Sequence, residues 1–256
     1  MSASILPTVI RADVFEYAKT LADGSFPLII ADPPYTGILP EKWDRAASQY
    51  DKLAALIERL LVPGGTAYVW GGIGKPGKPR VFFDWLARVE RETTLRIHNL
   101  ITWSKKRAYG TASNLLFTRE ECAMLVKGDK PRTFNIPLLD VKRGYPGYNA
   151  RFPAKSEFLR RTNVWTDVVE LFRGKIHPAE KPSRLAEIMI ETSSNPGELV
   201  LDPMAGSGST GVAAVRLGRS CLLIEESDCV MHDFTKVETN ETVAIENQPQ
   251  PEDPFT

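Results

Sequence analysis

At 256 residues with 43% hydrophobic side chains, the chain can bury roughly 70–75% of the surface its unfolded form exposes, enough for a full core in one large or two small domains. Its 32 Lys and Arg balance its 32 Asp and Glu, so no overall positive field advertises nucleic acid, and any such binding must come from a local patch. Cys122, Cys221 and Cys229 are odd in number and widely spaced, which argues against a disulfide framework or a zinc site. With no basic-then-apolar leader and no apolar run of about 18 residues, a cytoplasmic protein is expected.

In chain order, FPLIIAD (26–32) reads as a strand buried on both faces. It runs into Asp32-Pro33-Pro34-Tyr35, where neither proline can donate a ladder hydrogen bond. Asp-Pro is also a common turn opener, so this corner has a purely structural reading too. YDKLAALIERLL (50–61) reads as an amphipathic helix closed by Pro63-Gly64-Gly65, and TAYVWGG (66–72) as the next strand. PRVFFDWLARVE (79–90) is helical, and LRIHNLITWSK (95–105) and ECAMLVKG (121–128) are strands able to pair as a long-loop hairpin. The order is α/β with one antiparallel element at the edge.

Between residues 128 and 165 the alternation fails, and Pro, Gly, aromatic and basic residues suggest an insertion facing a substrate. From Lys142 to Arg161 six bases face one acid, Glu157, with Tyr145, Tyr148, Phe152 and Phe158 interleaved. Such bases neutralise phosphates while rings stack, which makes Arg143, Arg151, Lys155, Arg160 and Arg161 candidate phosphate contacts against the alternative of a solvated charged loop. SKKRAYG (104–110) is a second basic patch.

Order returns with the helix SRLAEIMIETS (183–193), the strand ELVLDP (198–203), the helix STGVAAVRLG (209–218) and the strand SCLLIEE (220–226). The last twenty residues carry five acids, three prolines and no Lys or Arg, the composition of a mobile tail. Gly206-Ser207-Gly208, between a buried strand and a helix, lets the chain turn tightly and bring N–H groups to a ligand. Glu225, 17 residues past Gly208 and at the end of the next strand, can accept from both hydroxyls of a ribose, so an adenosine-bearing cofactor is expected. No Gly-Lys-Ser/Thr follows, which argues against a P-loop. In HPAEKPSRL (177–185), Ser183 can cap a helix whose positive end, with Lys181, meets a carboxylate. An ordinary proline-capped helix would read the same way.

DPPY, HPAEKP and LDPMAGSGST, in that order, resemble the β-class amino-methyltransferases of DNA, which act on adenine N6 or cytosine N4 with S-adenosylmethionine. The resemblance covers roughly residues 8 to 228; RADVFEY, ITWSK and NVWTDV sit where the family carries similar blocks, whereas Met204 stands where members usually have Phe. It implies a Rossmann-like methyltransferase fold, with a mostly parallel seven-stranded sheet, one antiparallel edge strand and permuted motif order. The divisions implied are a catalytic half (1–127), a target-recognition insertion (128–165), a cofactor half (166–235) and a flexible tail (236–256).

By resemblance, Asp32, Pro33, Pro34 and Tyr35 are catalytic. Asp202, Met204, Gly206, Ser207 and Gly208 form the cofactor turn, Glu225 holds the ribose, Lys181 and Ser183 serve the methionine end, and His177 is a further cofactor-binding residue. Asp13 matches a position near the cofactor's adenine, although an acid before a helix also reads as an N-cap. No second ligand is spaced to join His98 or His177 on a metal. The partner is duplex DNA with its target base flipped out; a homodimer and a restriction endonuclease partner are left open. Adenine N6 is favoured because Asp opens the catalytic motif, and cytosine N4 is the alternative. A non-catalytic partner subunit and a dinucleotide-dependent oxidoreductase are the readings outside this class.

Overall fold

The computed structural model describes residues 6–35, 49–72, 81–110, 112–113, 115–142, 144, 147–149, 152–153, 156–170, 176–177 and 179–239. In the first half lie β1 (Thr8–Arg11), α1 (Val14–Tyr17), β2 (Phe26–Ala31), α2 (Tyr50–Leu60), β3 (Leu61–Gly71), α3 (Val81–Glu92), β4 (Leu95–Tyr109) and β5 (Phe117–Lys127). Short strands follow: β6 (Leu138–Lys142), β7 (Gly147–Asn149), β8 (Phe152–Pro153), β9 (Phe158–Arg160) and β10 (Val164–Trp165). The second half closes with α4 (Ser183–Ser193), β11 (Leu199–Asp202), α5 (Ser209–Arg216) and β12 (Ser220–Glu225).

The main sheet has the order β1-β12-β11-β2-β3-β5-β4-β10. Successive side chains on a strand point to opposite faces, so each buried run feeds two cores. Ile29, Ala31, Ala67, Val69, Leu201 and Ile224 join α2 and α3 on one face. Leu28, Ile30, Tyr68, Trp70, Val200 and Leu223 join α4 and α5 on the other. The result is three layers, with the sheet covered on both sides as a largely parallel sheet requires.

The expected fold class holds, with two corrections of detail. The sheet has eight strands rather than seven, because two-residue β10 adds to β4 in parallel, with Trp103 Nε1 donating to the Val168 carbonyl at 2.8 Å beside it. The reversed strand is not at the edge: β5 is antiparallel to both β3 and β4, and β4 covers it. Helix α2 also stops before the Pro63-Gly64-Gly65 turn, since Leu61 is already extended and opens β3. Within 128–165 the broken alternation corresponds to two antiparallel ribbons, β6 with β9 and β7 with β8.

Candidate active site

Strands β11 and β2 are parallel neighbours, with Val200 opposite Leu28 and Leu201 opposite Ile29. From β11 the chain passes through α5 to β12 on one side, and from β2 through α2 to β3 on the other. The order of strands therefore reverses between them, and loops leaving the carboxyl ends on either side of such a point diverge and open a crevice. Asp32-Pro33-Pro34-Tyr35 leaves β2 there, the Gly206-Ser207-Gly208 turn follows β11, and Glu225 ends β12, paired beside β11. Sequence-distant motifs thus meet at one edge of the sheet.

The glycine turn is fixed from both sides. Gly206 and Gly208 have φ of +52° and +83°, the left-handed region where a side chain is strained. Glu225 accepts from Gly206 N at 2.7 Å through one oxygen and from Ser227 N at 2.9 Å through the other. Buried Ser207 accepts from His232 N through its carbonyl at 3.0 Å, and half-buried Met204 donates its N–H to Asp202 at 3.0 Å. Burial pushes the Asp202 carboxyl up to about 7; hydrogen bonds from Thr210 and Met204 N oppose the rise, and the charges of Asp32 and Glu225 add to it.

At the β2 corner, Asp32 and Tyr35 are half-buried and Pro33 is buried. The Tyr35 hydroxyl lies 3.0 Å from Asp32 Oδ1 and 3.1 Å from Glu120 Oε2, and Lys181 Nζ donates to it at 3.0 Å. Lys181 also donates to Asp32 Oδ2, stands 3.3 Å from Glu120 Oε2, and lies 5.2 Å and 5.0 Å from the ring centroids of Tyr35 and Trp70. Lys105 pairs with Glu120 from β4. Burial works against the charge of Lys181, yet the carboxylates of Asp32 and Glu120 outweigh it and hold the ammonium above its usual range. Burial alone would raise Glu120, but Lys181 and Lys105 pull it down to about 2. The Tyr35 phenol is pushed well up, by burial first and then by the two carboxylates.

Sequence reasoning missed Glu120 and Lys105. Because β5 runs against its neighbours, its first residues lie at the carboxyl edge of the parallel strands, where Glu120 faces Trp103 across the β4–β5 ladder. The signal was present as Glu120-Glu121 opening a strand that is otherwise apolar.

The remaining expected residues divide. Asp13 is an N-cap, its Oδ1 accepting from Phe15 N at 2.8 Å and Glu16 N at 2.9 Å. Ser183 does not cap α4: Pro182 holds the cap position with φ −56° and ψ 131°, no side chain bonds the end, and Ser183 is the first helical residue. His177 Nδ1 accepts from Ala179 N at 3.2 Å. Arg160 is exposed on β9, whereas Arg161 points inward with its side chain 5% exposed, forked onto Asp167 at 2.6 and 2.8 Å. Both terminal nitrogens of this guanidinium are engaged with Asp167, unlike the exposed side chain of Arg160. Arg143, Arg151 and Lys155 lie outside the described residues. Among the described residues, no group of three His, Cys, Asp or Glu side chains could hold a metal ion, and no helix is long and apolar enough to cross a membrane.

A family model described as DNA methylase, of the N6/N4 type, matches residues 26–236. The chain is 29% identical over 248 residues to the DNA adenine methyltransferase YhdJ of Escherichia coli K12, covering 85% of this chain and 78% of that protein. It is 25% identical over 245 residues to the type II methyltransferase M.BamHI of Bacillus amyloliquefaciens, covering 86% of this chain but only 54% of that longer protein. Among solved structures, TTHA0409 of Thermus thermophilus in complex with S-adenosyl-L-methionine is similar at a TM-score of 0.60 and 25% identity, over 87% of this chain and 89% of that one. The cytosine-N4-specific PvuII DNA methyltransferase shares the fold at a TM-score of 0.66 and 17% identity, over 94% and 92% of the two chains.

Proposed function

The chain belongs to the N6/N4 DNA methylase family, and on that premise we propose that it transfers a methyl group from S-adenosylmethionine to the N6 amino group of adenine in DNA. The observation that carries this reading is the meeting of Asp32-Pro33-Pro34-Tyr35 with the glycine turn and Glu225 where the strand order reverses.

S-adenosylmethionine is the cofactor, and the residues present fit it. A carbon added at Gly206 would meet nothing within 4 Å, so the turn opens onto free space beside an N–H already held by a carboxylate. Gly206, Ser207 and Gly208 would line the turn, with Asp202 and Met204 beneath it and Glu225 at the ribose. Asp13 would lie toward the adenine, and His177, Lys181 and Ser183 toward the methionine end. When bound, the cofactor supplies a methyl group on a sulfonium, which leaves without needing a metal.

The chain's own residues have to make an amine reactive. An exocyclic amine is a poor nucleophile because its lone pair is delocalised into the ring. Asp32 accepting one N–H and the Pro33 carbonyl accepting the other draw the nitrogen toward tetrahedral geometry and free its lone pair. The stiff Pro33-Pro34 backbone holds these acceptors where charge develops. Asp32 then takes the proton that the methylated nitrogen gives up. Tyr35 stacks on the base once it has left the duplex, since the amine cannot be reached inside it. Exposed Arg160 and the segment 128–165 around it meet the phosphates.

Adenine is supported by Asp32 in the first position of the motif and by the adenine specificity that YhdJ carries in its name. The test is incubation of the chain with labelled cofactor and mixed-sequence duplex DNA, followed by nucleoside mass spectrometry. N6-methyladenine is expected. Label only on N4-methylcytosine gives the site to cytosine, and normal cofactor binding with no label on any DNA makes the chain a binding subunit.

A further inference from the structure

Two cations and two carboxylates alternate through the site: Asp32, Lys181, Glu120, Lys105. The arrangement poses a problem for the clamp. Asp32 receives the Tyr35 hydroxyl on one oxygen and the Lys181 ammonium on the other. An ammonium on Oδ2 withdraws the electron density with which that oxygen would accept a base N–H. Lys181 cannot simply leave Asp32 without a new partner, because a buried cation left without a counter-ion is costly.

Glu120 offers the alternative berth. Its Oε2 already stands 3.3 Å from Lys181 Nζ, its side chain is only 15% exposed, and the Tyr35 hydroxyl reaches both carboxylates. We infer that Glu120 is a positioning residue that takes Lys181 from Asp32 when the base amine docks. This rests on the proposed role of Asp32 as the amine clamp. The exchange moves one ammonium between two carboxylates and transfers no proton. Tyr35 can turn its O–H toward whichever carboxylate has lost the ammonium. Lys105, 5.2 Å from the centroid of the Trp103 ring, anchors Glu120 from the far side, so the berth stays in place while Lys181 moves.

The test is a double-mutant cycle on DNA that the parent chain methylates. Glu120→Gln keeps the shape of the side chain but removes its charge, so Lys181 stays on Asp32. The expected result is a fall in kcat of about tenfold or more, with cofactor Kd and the KM for DNA within about threefold of the parent. Glu120→Asp should recover part of the loss. In a Lys181→Met background, Glu120→Gln should cost nothing further, because there is no ammonium to receive. A parent-like kcat in Glu120→Gln overturns the inference, and so does an equal loss in both backgrounds. Should Glu120→Gln fail to bind cofactor, Glu120→Asp decides: a reduced kcat at unchanged cofactor Kd supports the exchange, and a parent-like kcat overturns it. A parent chain that methylates no DNA fails at the earlier step and takes the amine clamp down with it.

Discussion

Gly206 and Gly208, on either side of Ser207 in the turn proposed to hold the cofactor, should respond differently to the same added methyl group. Gly206→Ala places a side chain at φ +52°, at a strain of about 1–2 kcal/mol. About 0.4–1 kcal/mol of that is offset by the lower entropy of the unfolded chain. Its new carbon meets no atom within 4 Å, so no packing cost is added. Gly208→Ala carries similar strain at φ +83°, but its new carbon falls 2.8 Å from Phe234 Cζ and 3.3 Å from Cε1. The ring lies across the faces of both Gly208 and Gly211, so it must swing away to admit the new carbon, and overpacking adds about 1–3 kcal/mol. Chemical denaturation without cofactor should therefore find Gly208→Ala clearly less stable than Gly206→Ala. Calorimetry with S-adenosylmethionine should show the reverse weighting, with Gly206→Ala binding about tenfold or more weakly, a loss of about 1.4 kcal/mol, because its methyl projects into the space the cofactor takes. Parent-like binding by Gly206→Ala would refute the placement of the cofactor on this turn.

Tyr35→Ala should lose base stacking worth about 1–3 kcal/mol and most activity, whereas Tyr35→Phe, which keeps the ring but not the hydroxyl shared by Asp32 and Glu120, should retain more; methyl-transfer rates on one DNA compare them. Asp202 titrates at about 7 in the fold against a usual 3.8, so the folded chain holds a proton that the unfolded chain has lost, and its contribution to stability declines as pH rises between those values. Asp202→Asn should therefore gain stability relative to the parent at pH 8 compared with pH 4, and an unchanged difference between the two in denaturant titrations would count against the raised carboxyl. Arg160→Gln should weaken DNA binding and reduce the slope of log affinity against log salt by about 1, the share of one phosphate contact; an unaltered slope would return that residue to the solvated surface.

Much of the fold was legible because its signals are local. The helix over 183–193 and the strands around β2, β11 and β12 follow from periodicity and from the Gly and Pro residues bounding them. The Asp32-Pro33-Pro34-Tyr35 corner and the glycine turn were legible as motifs, and parallel pairing of β11 with β2 brings them to one edge. What stayed hidden depends on pairing partners that local pattern does not encode. Two-residue β10 has no periodicity to read, and the interior place of β5 is set by β4 folding over it. For the same reason Glu120, far in sequence from Asp32, could not be tied to it. Arg161 looked like its neighbour Arg160 in a basic run, but a turn six residues on supplies Asp167 and draws it inward. Lys181 was expected at a ligand's carboxylate; its pairing with Asp32 and Glu120 of the chain itself is a tertiary fact that the sequence did not signal.

The most direct measurement on the central claim is Asp32→Ala assayed in parallel for cofactor binding and for methyl transfer to DNA. In the proposed function Asp32 serves the amine, while the turn and Glu225 serve the cofactor, so binding and chemistry should separate. Calorimetry should give a Kd for S-adenosylmethionine within about threefold of the parent, while transfer of labelled methyl to adenine falls by about a thousandfold or more, beyond the hundred- to thousandfold typical of losing one preorganised contact. Asp32→Ala that binds cofactor normally and still methylates DNA at a rate near the parent's would contradict the account.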